Sequence, residues 1–411
     1  MQNQSVLVSG AGIAGPTLAY WLACYGFEPT LVERAPHLRQ GGYVIDFWGL
    51  GYDIAEKMGL LCDLKRRAYR VEELRFVDDR GRRVGGFDVD VFRALTGGRY
   101  ISLPRSELAE AIYRTIESRC DIVFDDSVAD VEDTPDGVIV KFERAPSRRF
   151  DLVVGADGLH SAVRRVVFGP ERRFESCLGY AVAAFEAKGY RPRDEGVYVS
   201  YGRPGKQASR FPLRDDRTLF LIVFQAPGHP LVDLHDVRAQ KALLHREFDD
   251  AGWECAQILS ALDPAEVLYF DTVSQIRMDC WSRGRVALVG DSAFAPSLLA
   301  GQGSALAMTA AYVLAGELAM AEGRYRRAFE RYERVLRGFI EGKQKAARQF
   351  AGSFAPRTRL GLFMRNQLSK ALRSPFIADL LIGRGLLDRL ALPAYPLPRT
   401  PTRWENGKKP N

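Results

Sequence analysis

Metal-binding and nucleophilic residues are scarce in this chain. Among 411 residues there are five histidines and six cysteines. Cys24, Cys62, Cys120, Cys177, Cys255 and Cys280 stand alone, with no CxxC pair. That argues against both a zinc site and a disulfide framework. Free buried thiols in a reducing, cytoplasmic compartment are the simpler expectation. The N-terminus, MQNQSVLVSG, has no basic segment ahead of its apolar run, so no secretory signal is expected. Charge of one sign is also thin. A net +7 over 411 residues is not the dense basic stripe of a nucleic-acid binder, but it suits anionic small molecules such as phosphorylated cofactors. One apolar stretch, 304–321, raises a membrane question, yet it carries Glu317 and is mostly Ala, Gly and Ser. A buried core helix is expected there, and stable membrane insertion is not. The scattered histidines spell out no Ser/His/Asp or Cys/His arrangement.

What the chain does have is apolar bulk and two interleaved textures. Its length suggests two domains at about 150 residues each, or one composite fold. The apolar fraction of 46% is enough for a substantial core. SVLVSG reads as a strand, 14–25 as a helix and EPTLVER as a second strand. This βαβ unit favours a parallel sheet covered by helices. From residue 71 to about 100 the pattern alternates around an Asp-Arg-Gly turn, as in an antiparallel hairpin. Alternation returns between about 173 and 270. The expected fold class is therefore α/β. A Rossmann-like nucleotide-binding domain (1–70, 100–172 and 271–320) is threaded by an antiparallel-sheet domain (71–99 and 173–270). A helical C-terminal region with a basic tail (321–411) follows.

Three glycine-rich turns punctuate the α/β portion. GAGIAG, residues 10–15, joins the first strand to the first helix. Gly10 would permit the tight turn, Gly12 the approach of a pyrophosphate, and Gly15 the packing of helix on strand. The helix N-terminus offers unpaired N–H groups to phosphate. Glu33 ends the second strand about 20 residues on, where a carboxylate accepts ribose hydroxyls. A 2′-phosphate would be repelled there, so the tightly held nucleotide is expected to be FAD or NAD. GADGLHSAVR follows a later apolar strand, and GDSAFAPSLLAGQG follows a third. A plain NAD enzyme needs one such turn, whereas a longer cofactor crossing the sheet needs several.

With these three motifs in this order, the sequence resembles the class A flavoprotein monooxygenases. That family includes p-hydroxybenzoate hydroxylase and the tetracycline- and polyketide-modifying hydroxylases. The resemblance spans nearly the whole chain. It implies FAD in an extended conformation, an antiparallel substrate domain and closing C-terminal helices. Carried over residue by residue, it implies that Gly10, Gly12 and Gly15, with Ala14 in the same turn, line the pyrophosphate. Glu33 would meet the adenosine ribose, and Arg34 would lie beside the adenine half. Gly42 lies in a loop approaching the flavin, and Arg105 reaches toward the ribityl chain and phosphates. Asp157 is implied near the pyrophosphate, in a dual FAD and NAD(P)H role. Gly290 and Asp291 form the ribityl turn, with Asp291 accepting from the hydroxyls. Pro296, Gly301, Gln302 and Gly303 would lie along the isoalloxazine ring, with Ser304 starting the next helix. The chain departs from the family at Phe294, where many members have His, and at Ser304, where many have Asn.

The resemblance further implies reduction by transient NADH or NADPH and hydroxylation of an aromatic or polyketide-like small molecule through a flavin C4a-hydroperoxide. The protein contributes position, electrostatics and exclusion of water. The N–H groups near Ser304 would stabilise charge on reduced flavin. Residues expected to line the substrate wall are Tyr180, Phe185, Tyr201, Arg210, Phe211 and Phe224. Arg210, directly before FPLRDD, stands out in this set as the candidate catalytic side chain, placed to meet a phenolate or the nicotinamide side. No second GxGxxG is present for the nicotinamide, so NADH and NADPH are not distinguished. The segment 357–390 reads as helical, apolar on one face and basic on the other, suited to a covering layer, with a membrane-surface or lipophilic-substrate role as the alternative. Other outcomes on the same cofactor fold are a reductase or dehydrogenase, a halogenase, whose WxWxIP-like signature is absent, and a non-catalytic flavoprotein.

Overall fold

A computed structural model describes residues 2–39, 41–226, 232–373, 375–378, 388 and 390–396. At its centre is a six-stranded sheet. In spatial order its strands are Ser282–Arg283, Val286–Leu288, Leu152–Gly155, Ser5–Ser9, Glu28–Glu33 and Asp121–Phe124. All neighbours pair in parallel except the edge strand Ser282–Arg283. Parallel strands are covered on both faces, so their sequences are continuous apolar runs. Val6, Leu7, Val8, Val153, Val154 and Leu288 have no accessible surface. The helix Ala14–Cys24 covers one face and packs on the long core helix Gly303–Met320. The latter is apolar enough to cross a membrane, but 78% of it is buried inside the fold.

Strand order decides where function can sit. The strands ending at Ser9, Gly155 and Leu288 are adjacent and parallel. Their C-terminal ends therefore emerge side by side. The three glycine-rich turns, far apart in sequence, become neighbours along one edge. Open parallel sheets bind ligands in that crevice.

A second, seven-stranded sheet has the order Leu268–Ile276, Glu175–Lys188, Arg217–Gln225, Lys206–Pro212, Val197–Arg203, Glu73–Val77 and Arg83–Asp88. The hairpin expected in 71–99 is present, and 173–270 supplies most of the remainder. Two details differ from the sequence-based expectation. Val197–Arg203 pairs in parallel with Glu73–Val77, so the sheet is mixed where the two inserted pieces meet. The boundary expected at 271 falls inside the strand Leu268–Ile276, which stays with this sheet through Ile276. Strands within 128–150 form a separate three-stranded antiparallel sheet, and Val44–Trp48 pairs with Tyr100–Pro104.

The 30-residue helix Tyr325–Phe354, about 45 Å long at 1.5 Å per residue, spans both sheets. Its Tyr332 hydroxyl donates to the Leu288 carbonyl at 3.1 Å. Nearly three turns before its end, Gln344 donates to the Ile276 carbonyl at 2.7 Å. Beyond it, the described parts of 357–390 contain the helices Arg359–Ala371 and Pro375–Ala378. Much of that segment and the basic tail from 397 lie outside the described residues.

Candidate active site

The first turn is built by close backbone approach. Gly10 has φ of +108°, and a Cβ there would meet the Ala156 carbonyl oxygen at 2.5 Å. A Cβ on Gly15 would lie 1.9 Å from the Gly10 oxygen. Both positions therefore exclude side chains for packing reasons. Gly12 differs: its nearest neighbour would be Arg105 Nη2 at 3.7 Å. Its bare backbone faces open space beside a guanidinium. The helix that follows has no side-chain cap, so its first N–H groups stay available. Glu33 is buried, and its two oxygens accept from the N–H groups of Ala11 at 2.7 Å and Ala35 at 2.9 Å. Each oxygen keeps a further lone pair. Arg34 is exposed at the strand end.

The second and third turns lock onto the first. Gly10 packs against the Asp157 backbone, and Gly290, at φ +70°, would place a Cβ 3.1 Å from Ala14 Cβ. The Asp157 carboxylate accepts from the Ser161 hydroxyl and the Val163 N–H, which fixes the start of the helix Ala162–Val167. Burial pushes its pKa up, against those hydrogen bonds. Arg164 joins the second turn to the third. Its fully buried guanidinium donates to the Ser292 carbonyl at 2.9 Å and pairs with Glu171 at 2.7 Å.

Two charged side chains are conspicuous for lacking partners. Among the described residues, neither the Asp291 carboxylate nor the Arg105 guanidinium forms a hydrogen bond or ion pair. Burial raises the Asp291 pKa; Arg105 opposes this shift and Asp271 adds to it. A Cβ on Gly303 would lie 3.8 Å from Asp291 Oδ1, so the uncapped start of the helix Gly303–Met320 borders the same place. Gly42 and Gly301, at φ +108° and +65°, have nothing within 4 Å of a Cβ position. An unpartnered acid, an unpartnered cation and bare backbone from separate loops fit a long, polar, phosphate-bearing cofactor with a flat ring.

Aromatic rings border this place. Tyr43, Tyr269 and Asp291 are each half-buried, and both tyrosines lie near Asp291 and Arg105. Burial raises the pKa of all three. Tyr43 and Tyr269 stand 6.0 Å apart between the turns and the seven-stranded sheet. Strand register carries that face of the sheet onward through Ala184, Leu221, Ser209 and Ser200. Ser200 and Ser209 share a buried hydrogen bond of 3.0 Å.

The same register corrects four of the expected wall residues. Tyr180 and Phe211 lie on the Tyr269 face of the sheet. Phe185, Tyr201 and Phe224 lie on the other, packed with Leu244, Phe248 and Ile258 of the helices Val237–Phe248 and Cys255–Leu262. Arg210 also lies on the face opposite Tyr269. It pairs with Glu254 at 2.7 Å and Asp194 at 2.8 Å and stacks over Trp253. Both faces of this sheet are buried, one by helices and one by the cofactor-side domain. Alternation alone could not say which face was which. Phe294, where many members of the resembled family have His, is a core residue against Trp281 at 4.5 Å. Ser304 is half-buried in the first turn of its helix.

Comparison with known proteins agrees with this geometry. Residues 3–338 match the family model described as FAD binding domain. The chain belongs to that FAD-binding family. An uncharacterized protein of Mycobacterium tuberculosis is 41% identical over 345 residues, covering 83% of this chain and 92% of its own. A flavin-dependent monooxygenase of Legionella longbeachae is 35% identical, covering 84% and 88%. The crystal structure of the tetracycline destructase Tet(51) superposes with a TM-score of 0.80 at 32% identity, covering 95% of this chain and 99% of that one. The protein is thus a flavin-dependent monooxygenase, and its cofactor is FAD. The fold is shared with Klebsiella pneumoniae HpxO, solved with FAD and uric acid, at a TM-score of 0.76 and 23% identity.

The monooxygenase also contains a charged latch that sequence reasoning missed. His160, inside the second motif, contacts Glu171 at 2.9 Å and Asp271 of the second sheet at 3.2 Å. Hydrogen bonds to Asp271 and then Glu171 raise its pKa to about 10. The folded value lies above the unfolded value of about 6.5. Stability from this latch is therefore complete below about pH 6.5 and fades as pH climbs toward about 10. His160→Gln should lower Tm most at about pH 6, and the gap from wild type should close by about pH 10. Melting curves between pH 6 and 10 check this.

Proposed function

We propose that this monooxygenase uses NAD(P)H and O2 to hydroxylate an aromatic or polycyclic small molecule. The balanced reaction is substrate–H + NAD(P)H + H⁺ + O2 → substrate–OH + NAD(P)⁺ + H2O. The observation that carries this reading is the meeting of unpartnered Asp291 and Arg105 with the Tyr43 and Tyr269 rings at the mouths of the glycine-rich turns. Bound FAD supplies the electron transfer and the activation of oxygen. The chain would bind and orient it. Gly10, Gly12, Ala14 and Gly15 would hold the pyrophosphate, Glu33 the adenosine ribose, and Arg34 the adenine edge. Arg105 and Asp157 would border the phosphates, with Gly42 on the flavin side. Gly290 and Asp291 would hold the ribityl chain, and the backbone from Pro296 through Gly301, Gln302 and Gly303 to Ser304 would lie along the ring. The uncapped helix start at Gly303 would favour negative charge beside it.

The tyrosine rings suit a flat, apolar substrate through offset or edge contacts. Half-buried Tyr198, further along the same face, adds a hydroxyl, which favours a ring bearing hydroxyl or carbonyl substituents. A panel of phenolic and polyketide-like compounds tests this. The expected result is stimulated NAD(P)H oxidation and a product heavier by one oxygen atom, labelled from 18O2. Turnover that continues without O2 would indicate a dehydrogenase and sink the proposal.

A further inference from the structure

Helix Arg359–Ala371 is built inside out. Toward the seven-stranded sheet it presents polar groups. The Ser369 hydroxyl accepts from the Gly86 N–H at 2.9 Å, and Arg365 donates to the Gln207 side-chain oxygen at 3.1 Å. Asn366 and Ser369 are its buried residues. Toward solvent it presents Leu360, Phe363, Met364 and Leu368, which are 67%, 59%, 62% and 52% exposed. The spacing i, i+3, i+4, i+8 places them in one stripe. A surface helix of a soluble protein normally faces the other way, so a contiguous apolar stripe of this kind marks an interaction surface.

Charge identifies the partner. Residues 342–378 contain eight lysines and arginines and no aspartate or glutamate. Arg357, Arg359, Lys370 and Arg373 flank the stripe at both ends. We infer that this helix lies flat in the surface of an anionic lipid bilayer, with its four apolar side chains among the acyl chains and the flanking cations at the headgroups. At 13 residues it is too short to span. A second copy of this chain is the poorer occupant. A twofold contact through this stripe would bring two acid-free basic segments together. The inference is independent of the oxygenation chemistry.

Vesicle flotation with the full-length holoenzyme tests it. Phosphatidylglycerol-containing vesicles should carry the protein, pure phosphatidylcholine vesicles far less, and high salt should reduce binding. The combined variant Leu360→Ser, Phe363→Ser, Met364→Ser, Leu368→Ser should lose about tenfold or more of this binding. It should keep its bound FAD and its elution volume. Phe363→Trp should show a blue-shifted emission when anionic vesicles are added. Absence of flotation, unchanged flotation in the combined variant, or unshifted Trp emission would each overturn the inference. So would a wild-type dimer that becomes monomeric in the combined variant without any vesicle binding.

Discussion

Asp291→Ala should weaken FAD binding by roughly 10- to 100-fold, because hydrogen bonds to a charged acceptor contribute about 1.5–3 kcal/mol and 1.4 kcal/mol is about tenfold in affinity. The structure adds a sharper expectation. Asp291 has no partner among the described residues, and burial already disfavours its charge. Removing it should leave the apoprotein as stable as wild type, or more so, since no native contact is lost and a desolvated carboxylate is relieved. A residue kept for folding would behave in the opposite way. Fluorescence titration of the apoprotein with FAD, together with apoprotein melting curves, checks both halves.

Arg164→Met should do the reverse and cost the fold about 1–3 kcal/mol, as expected when buried acceptors lose a charged donor; Glu171 keeps His160 as a partner. Arg164 is fully buried, and burial lowers its pKa despite Glu171. Its loss would strand the Ser292 and Leu159 carbonyls and weaken the join between the second and third turns. Urea unfolding of the apoprotein measures the cost. FAD should shift the variant's midpoint upward, because ligand binding to the native state adds stability by mass action.

The turns were legible in the sequence because they obey local rules. A strand, a glycine with positive φ and a helix start fit within six residues at GAGIAG, and Gly10 and Gly290 do adopt positive φ. The adjacency of three such turns was legible through the resemblance; in the structure it follows from strand order. The substrate face was not legible. Phe224 and Leu221 are similar in kind, yet one packs on helices and the other lies on the Tyr269 face. Only register and the placement of Tyr269 separate them. Tyr43 could have been flagged, since it directly follows the Gly41–Gly42 pair.

Ser297 carried no signal at all. It sits at φ +104°, which non-glycine residues rarely adopt. Gln275 and Gln344 hold the adjoining carbonyls of Pro296 and Ala295 from the substrate sheet and the long helix. Strain of this kind is set by distant side chains and so leaves no local pattern. The polarity of the helix Arg359–Ala371 was half legible. An amphipathic helix was apparent, but which face it buries was decided by Gly86 and Gln207 on the sheet beneath.

The central claim is that one extended cofactor runs from Glu33 at one end to Asp291 at the other. Paired titrations of the apoprotein with ADP and with FAD test it most directly. ADP carries only the half that Glu33 would hold. Glu33→Ala should weaken both ligands, whereas Asp291→Ala should weaken FAD and leave ADP unchanged. Equal losses for ADP and FAD in Asp291→Ala, or no loss of either, would contradict the claim.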